Sequence, residues 1–316
     1  MPPYWRAQSI WLAKRLRRHV PAGLYRALYG LGRLGYLPHY RHPRTFNEKV
    51  TWWIQHRHDP RLTRRADKLL VRDFVATAAP WVRLPEVYAV AKDAAQFPFE
   101  QLPETSVLKS NHGWHQVQVL RRPFDVEAMR ALAGRWLAHP YGTPEWEWHY
   151  LTIERRLYAE QYLGASDGSA PPDYKVLVLN GRAAYVWVYL GRGGRLRRVV
   201  FDRDWRVVPV YQATSLGGPP DVVGRELHPP RPKRLADMLR AAEVLADDLP
   251  FVRADFYLID DEIYFGELTF FPAGGYVEFV PVSYDRVLGD ALDVGSDRAH
   301  GWSRRRSLHP TEGLRE

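Results

Sequence analysis

The chain has 316 residues, 46% of them hydrophobic, enough for a substantial core in one large domain or two moderate ones. It has no cysteine, which excludes disulfides, thiolate catalysis and cysteine-ligated zinc, and its 12 histidines form no HExxH pair. Lys plus Arg outnumber Asp plus Glu by 45 to 36, so the net charge of +9 favours anionic partners, but scattered basic residues without a helix-turn-helix or zinc-finger pattern argue against nucleic acid.

Residues 1–40 interleave aromatic and basic side chains, with Trp5, Ile10, Trp11, Leu12 and Leu16 among Lys14, Arg15, Arg17 and Arg18. This suits an amphipathic helix, which either packs on its own domain with a solvated basic face or lies on an anionic membrane surface; the first is the commoner fate. No window reaches the roughly 18 uninterrupted apolar residues of a membrane span, and the first residues lack the apolar core of a signal peptide. A cytoplasmic protein is expected, with the N-terminal segment as its one candidate for peripheral contact with the inner face of the membrane.

A second helix is expected around Phe46-Asn47-Glu48-Lys49, carrying Trp52, Trp53 and Ile54, and a third over Arg64 to Ala78 with Ala66, Leu69, Leu70, Phe74 and Val75 inside and Asp67 and Lys68 near its start. Leu84 to Tyr88 reads as loop into strand. Ser106 to Leu120 reads as two strands joined by a polar loop, Asn111-His112-Gly113, with Lys109 closing the first strand. A lysine at a strand end beside exposed backbone N–H groups is a means of holding phosphate, although strand ends often carry a lysine that is only solvated.

A helix with Met129, Leu132, Trp136 and Leu137 follows, then a strand from Arg156 to Glu160 running into Gln161-Tyr162-Leu163, and a linker over 164–172. Asp173-Tyr174-Lys175 opens a strand that turns at Asn180-Gly181, a strong hairpin signal, into Ala183 to Leu190; Leu196 to Phe201 extends the meander. Ala213 to Pro230 is a Pro/Gly-rich loop. Pro232 is expected at the first position of a helix, whose apolar stripe is Leu235, Met238, Leu239, Ala242, Leu245 and Leu249. From Ser296 onward apolar residues thin out and a frayed tail is expected.

The stretch Phe251 to Tyr276 carries the chemistry. Phe251 to Ile259 and Ile263 to Phe270 are aromatic and β-branched, and Asp260-Asp261-Glu262 between them is turn chemistry. A two-residue loop would put Asp255 opposite Gly266 and send Glu267 to the core. A three-residue loop, 259 facing 263, sets Asp255 across from Glu267 and Arg253 across from Thr269, with Tyr264 and Leu268 on the apolar face; an odd loop is therefore expected. Two carboxylates roughly 5 Å apart on one face are unfavourable unless something positive sits between them, and a hard cation such as Mg²⁺ answers that need.

Taken in order, Lys109 with its glycine-bearing loop, Glu160 to Leu163, Asp173-Tyr174-Lys175, Arg253-Ala254-Asp255 and Glu267-Leu268-Thr269 resemble the ATP-grasp enzymes over about residues 64–290. The wording FNEKVTWW, DKLLVRDFV, VLKSNHG, DYKVLVLNG and VRADFY…YFGELTFFPAGG is most similar to the TupA-like branch, associated with teichuronopeptide and other surface-polymer synthesis. The resemblance implies an α+β fold in which two lobes with antiparallel sheets grip ATP. The segments would be a basic helical segment (1–63), a small lobe and hinge (64–163), a large lobe with the metal hairpin (164–295) and a flexible tail (296–316).

It further implies ATP and Mg²⁺ as cofactors, and a reaction that phosphorylates a carboxylate before an amine attacks it. The partners would be a nucleotide, an acidic small molecule or polymer, and an amine acceptor. By position, Lys109 and the loop Asn111, His112 and Gly113 would hold phosphate, Glu160, Gln161, Tyr162 and Leu163 would meet adenine and ribose, and Lys68, Asp173 and Lys175 would complete the nucleotide site. Asp255, Glu267 and Thr269 would bind Mg²⁺, with Arg253 and Lys175 on the transferring phosphoryl group. The chain departs from the family pattern at Thr269, commonly Asn, and at Trp114 and His115, where small residues are usual. Phosphoryl transfer to a hydroxyl, or a non-catalytic scaffold at the membrane surface, are the alternatives.

Overall fold

A computed structural model describes residues 19–142, 147–164, 170–191, 196–213 and 228–295, together with residues 8, 10, 12 and 15. The expectations placed on Trp5, Trp11, Lys14, Leu16, Arg17 and Arg18, on most of the 164–172 linker and the 213–230 loop, and on the tail from Ser296 lie outside the described residues. Among those described, no helix is long and apolar enough to cross a membrane.

Helix α1 (Ala22–Leu34) is followed by α2 (Phe46–His56), α3 (Arg61–Ala66) and α4 (Val71–Ala78). Strands β1 (Val87–Ala91), β2 (Thr105–Ser110) and β3 (Val117–Arg121), helix α5 (Val126–Ala138) and strand β4 (Leu157–Gln161) come next. They form a four-stranded antiparallel sheet in the order β1-β4-β2-β3. Its core is small: Leu108, Leu120, Leu157 and Ala159 from the strands meet Ala133 of α5 and Phe97 and Phe99 of the preceding loop.

The second sheet holds β5 (Asp173–Leu179), β6 (Arg182–Leu190), β7 (Arg197–Asp202), β8 (Val207–Val208), β10 (Phe251–Ile259) and β11 (Glu262–Thr269), in the order β11-β10-β5-β6-β7-β8. The β5–β6 turn is Asn180-Gly181, both at positive φ, as the sequence signals. Helix α6 (Leu235–Ala246) covers one face with Leu235, Met238, Leu239, Ala242 and Leu245. Strand β9 (Tyr211–Ala213) pairs with β12 (Glu278–Val280), and α7 (Ser283–Ala291) ends the described chain. The described residues form an α+β fold with two large antiparallel sheets, as expected, and the small β9–β12 pair.

Helix α2 belongs to the large core: Phe46, Val50, Trp52, Trp53 and Ile54 share one apolar cluster with β5, β6, β10 and β11. Its start is fixed by a capping box. The Thr45 hydroxyl accepts from Glu48 N at 3.2 Å while the Glu48 carboxylate accepts from Thr45 N, Arg44 N and His39 N.

Three local expectations are corrected. The single helix over Arg64–Ala78 is two, α3 and α4. Asp67, buried at the break, turns its carboxylate onto the N–H groups of Leu69 and Leu70, so the chain bends and Leu70 is exposed instead of inside. Pro232 does not occupy the first helical position; its carbonyl accepts from Leu235 N in a preceding turn, and α6 begins at Leu235.

The third correction concerns the hairpin. Its loop has two residues, Asp260 and Asp261, both at positive φ, so Ile259 faces Glu262 and Phe256 faces Phe265. A bulge between Asp255 and Phe256 on one strand, with Gly266 as the extra residue on the other, then shifts the register by one. Beyond it Asp255 faces Glu267 and Arg253 faces Thr269, the expected pairing reached by a different route. Ile263, Phe265 and Leu268 fill the core, and Tyr264 does not.

Candidate active site

Direct cross-strand neighbours in a sheet share a face, so the registers of the large sheet place Glu267, Asp255, Lys175 and Trp187 in one row and Tyr257, Asp173, Tyr189 and Arg198 in the next. This face lies opposite Val176, Val188, Ala254 and Phe256, which alternate with it along the same strands. Asp255 is buried, yet both of its oxygens meet cations. Arg253 reaches it through Nε at 2.7 Å and Nη2 at 2.8 Å, and the Lys175 ammonium bonds Oδ2. Lys175 also lies 2.9 Å from Asp173.

Burial alone would raise the pKa of Asp255, but Arg253 and Lys175 outweigh it and hold the carboxyl below its ordinary value. Arg253 is shifted the other way: burial opposes its charge, and Asp255 and Glu267 more than compensate, pushing it up. Its Nη2 stands 3.5 Å from Glu267, so the guanidinium spans the two facing carboxylates.

Glu267 is the more accessible acid, with 35% of its side chain exposed, and its other oxygen is 4.0 Å from Lys68. Lys68 sits in the α3–α4 break and donates to the carbonyl of Gly113 at 2.8 Å, while its own N–H donates to Asn111 O. Burial lowers its pKa, and Glu267 pulls the other way. Asn111 in turn is fixed by Asp67 Oδ2 at 2.9 Å and by the Glu154 carbonyl. The loop 111–113 is therefore anchored on the helix break, and one lysine ties it to the hairpin of the other sheet.

His112 is buried behind that loop, 3.4 Å from the carbonyl of His139, and burial lowers its pKa. Trp114, 64% exposed, and His115, at positive φ, form the tip.

In the small sheet Lys109 is bonded to Glu160, which Arg72 approaches at 3.8 Å. Register puts Lys109, Val117 and Tyr158 in one row and Val107, Val119 and Glu160 in the next, on the face away from α5. Val117 and Val119 are 49% and 37% exposed there. The side chain of Gln161 is on the opposite face, where it accepts from Glu86 N, so only its backbone is available to this site. Tyr162 meets Arg121 beyond the end of β4, and Leu163 is half-buried.

Val107, Val117, Val119, Tyr158 and Arg72 escaped the reading of the sequence. The valines were legible in principle, as the alternate positions on either side of Lys109 whose apolar side chains have no helix to pack against.

The candidate metal ligands are two carboxylates and a hydroxyl, hard oxygen donors suited to Mg²⁺. Among the described residues no three or more His, Cys, Asp or Glu side chains gather as a metal-holding group, so Asp255 and Glu267 are a pair without a third such ligand. A carboxylate offers about four lone-pair sites, and Arg253 and Lys175 account for three on Asp255. One remains there and more on half-exposed Glu267, so the donor set accommodates a divalent cation.

A comparison with curated proteins finds no match. Among solved structures the chain is similar to the D-alanine–D-alanine ligase of Bacillus anthracis complexed with ATP (12% identity, TM-score 0.41, 65% of this chain and 55% of that one). It is similar too to an ADP complex of N5-carboxyaminoimidazole ribonucleotide synthetase (18%, 0.39, 70% and 49%) and to an L-amino acid ligase from Bacillus licheniformis (15%, 0.37, 67% and 42%). The chain spans about half the length of the structures it matches. A family model described as TupA-like ATPgrasp matches residues 48–293, and the chain belongs to the TupA-like ATP-grasp family.

Proposed function

We propose that the chain is an ATP- and Mg²⁺-dependent ligase that joins a carboxylate to an amine through an acyl phosphate, in the synthesis of a surface polymer or peptide conjugate. The observation that carries this reading is Lys68, hydrogen-bonded to Gly113 beside the small sheet and 4.0 Å from Glu267 of the large one. On one side of that bridge stands Lys109 with Glu160, and on the other Lys175 and Arg253 with Asp255 and Glu267.

The residues divide the work. The apolar row Val107, Val117 and Val119 offers a flat surface for a base, with Glu160 placed for ribose hydroxyls. Lys109, Lys68 and the N–H groups of the 111–113 loop would hold the phosphates. Asp255, Glu267 and Thr269 would hold Mg²⁺, whose chemistry is to neutralise charge on the phosphate oxygens. Attack of a carboxylate on the γ-phosphoryl brings anion to anion, and Lys175 and Arg253 compensate the charge that develops. Asp255 holds both cations beside the candidate metal ligands. Cytoplasmic location with a peripheral basic N-terminal segment accompanies this reading.

The test is turnover of Mg·ATP by the full chain against pooled amino acids and uronic acids. ADP and free phosphate with an amide product are expected. A phosphorylated hydroxyl product would establish phosphotransfer instead, and absence of both products would favour a non-catalytic scaffold. Glu267→Gln should lower turnover by at least about a hundredfold, the loss typical of removing one charge-stabilising group, while near-normal turnover would overturn the metal assignment.

A further inference from the structure

On the face that carries Lys175 and Arg253, one more cation stands out by its lack of a carboxylate. Lys68, Lys109, Lys175, Arg72 and Arg253 each meet an Asp or Glu within 4.0 Å. Arg198 of β7, among the described residues, does not. Its Nη1 donates to the Gln212 carbonyl at 3.1 Å, and its Nε is buried with no hydrogen-bond partner. A buried guanidinium N–H without an acceptor costs stability, and a fixed Arg fork with one free edge is matched to a carboxylate.

Its setting is built rather than incidental. Register places Arg198 directly across from Tyr189, which lies across from Asp173. The Tyr189 ring is flanked by two cations, the Arg198 guanidinium at 4.9 Å and the Lys175 ammonium at 5.3 Å. Gln212 of β9 fixes both partners, accepting from Arg198 through its carbonyl and from the Tyr189 hydroxyl through Oε1 at 3.2 Å. The acids of this corner are already engaged, Asp173 by Lys175 and Asp255 by Lys175 and Arg253, which leaves Arg198 without one among the described residues.

We infer that Arg198, held by Tyr189 and Gln212, is the anchor for a second carboxylate of the acid substrate, separate from the carboxylate activated beside Arg253. The inference rests on the ligase reading and narrows its donor to dicarboxylates: an acidic amino acid, or a polymer unit bearing two acid groups. Arg253 and Arg198 lie on strands three intervals apart and four residues apart in register, about 20 Å at the backbone. Both side chains extend from the same face and their head groups approach through Lys175, which shares Asp255 Oδ2 with Arg253 and the Tyr189 ring with Arg198, so that one dicarboxylate can reach both.

The experiment measures binding to the full chain in the presence of Mg²⁺ and a non-hydrolysable ATP analogue, comparing glutarate and glutamate with butyrate. Wild type should bind a dicarboxylate at least tenfold more tightly than butyrate. Arg198→Met should reduce that preference to about unity, Arg198→Lys should retain part of it, and both should bind the ATP analogue within twofold of wild type. Wild type that does not distinguish the acids, or Arg198→Met that still does, overturns the inference while leaving the ligase reading standing. Failure of wild type to bind the ATP analogue overturns both. Should Arg198→Met melt early, Tyr189→Phe, which removes only the hydroxyl that Gln212 holds, should still weaken dicarboxylate binding without changing analogue affinity; unchanged dicarboxylate binding there would count against the anchor.

Discussion

Gly266 lies against the backbone of Asp255: a Cβ at position 266 would stand 3.0 Å from the Asp255 carbonyl oxygen and 3.4 Å from its carbonyl carbon. The contact is with main chain, which does not yield as a side-chain tip would. It is this close approach that lets Gly266 be the extra residue of the bulge and returns Glu267 to the face of Asp255. Without the bulge the two-residue turn would send Glu267 to the core side.

Gly266→Val is therefore expected to destabilise the fold by about 1–3 kcal/mol, as overpacking against fixed neighbours does, and to misplace Glu267. Urea denaturation should show the lower midpoint, and ATP turnover per folded molecule should fall as well. A variant with full turnover would mean that the bulge does not set the site.

The hairpin also shows what the sequence could and could not reveal. Asp260-Asp261 is a two-residue turn signal, and alternation alone demanded an odd loop because a period of two admits no half measure. The facing pair Asp255 and Glu267 was legible from which residues suit the core. The bulge that reconciles the two signals was not, since a lone glycine in a strand specifies a close approach without saying to what. The α3–α4 break was hidden for a related reason. Leu69, Leu70 and Phe74 fit a helical stripe, and the Asp67 carboxylate that ends α3 is satisfied partly by Asn111, 44 residues away. Contacts between distant segments leave no periodicity to read.

Lys109 is bonded to buried Glu160 and faces away from the small core, so Lys109→Met should lower the melting temperature only in part, Arg72 still facing that carboxylate at 3.8 Å, and weaken ATP binding by about tenfold or more, the loss of one charge-assisted contact. Isothermal calorimetry with the ATP analogue beside a thermal melt separates the effects. Unchanged affinity would remove Lys109 from the nucleotide site.

Two buried groups beside the hairpin give stability opposite dependences on pH. Glu147 is pushed by burial from its ordinary 4.5 up to about 7, against a lowering hydrogen bond from Tyr141. Its native carboxyl binds protons that the unfolded one has released, so it costs stability increasingly as pH rises from 4.5 to 7. His149, packed against Tyr150 and Phe271, is pushed by burial from 6.5 down to about 3. Unfolded His149 gains its proton first, so this group costs stability increasingly as pH falls from 6.5 to 3.

Between pH 4.5 and 6.5 the two slopes oppose. Wild type should be nearly flat there, Glu147→Gln should gain stability with rising pH, and His149→Phe should lose it. Melting temperatures across pH 4–8 read all three curves, and parallel curves would mean that neither side chain titrates in the folded protein as its burial implies.

The last prediction concerns Asn47, which belongs to the FNEKVTWW stretch yet makes no contact with the candidate site. Its amide donates to Val277 O at 2.9 Å and Asp285 Oδ2 at 2.8 Å, its side-chain oxygen accepts from Val277 N at 2.7 Å, and its backbone N–H meets Asp285 Oδ1. Tyr36 donates to the same carboxylate, and two residues on, Lys49 closes the end of α7 through the carbonyls of Gly289 and Leu292. Asn47 and Asp285 are both buried, so truncating the amide strands a donor and an acceptor of Val277 and part of a carboxylate whose pKa burial already raises. At about 1–3 kcal/mol for each group left unsatisfied, Asn47→Ala should lose roughly 3 kcal/mol or more in urea denaturation. Because the Asn47 contacts run to Val277 and Asp285 and not to the acids or cations of the site, the folded fraction should bind the ATP analogue with wild-type affinity. A stable Asn47→Ala with impaired nucleotide binding would reverse this assignment and place the α2 stretch in the site.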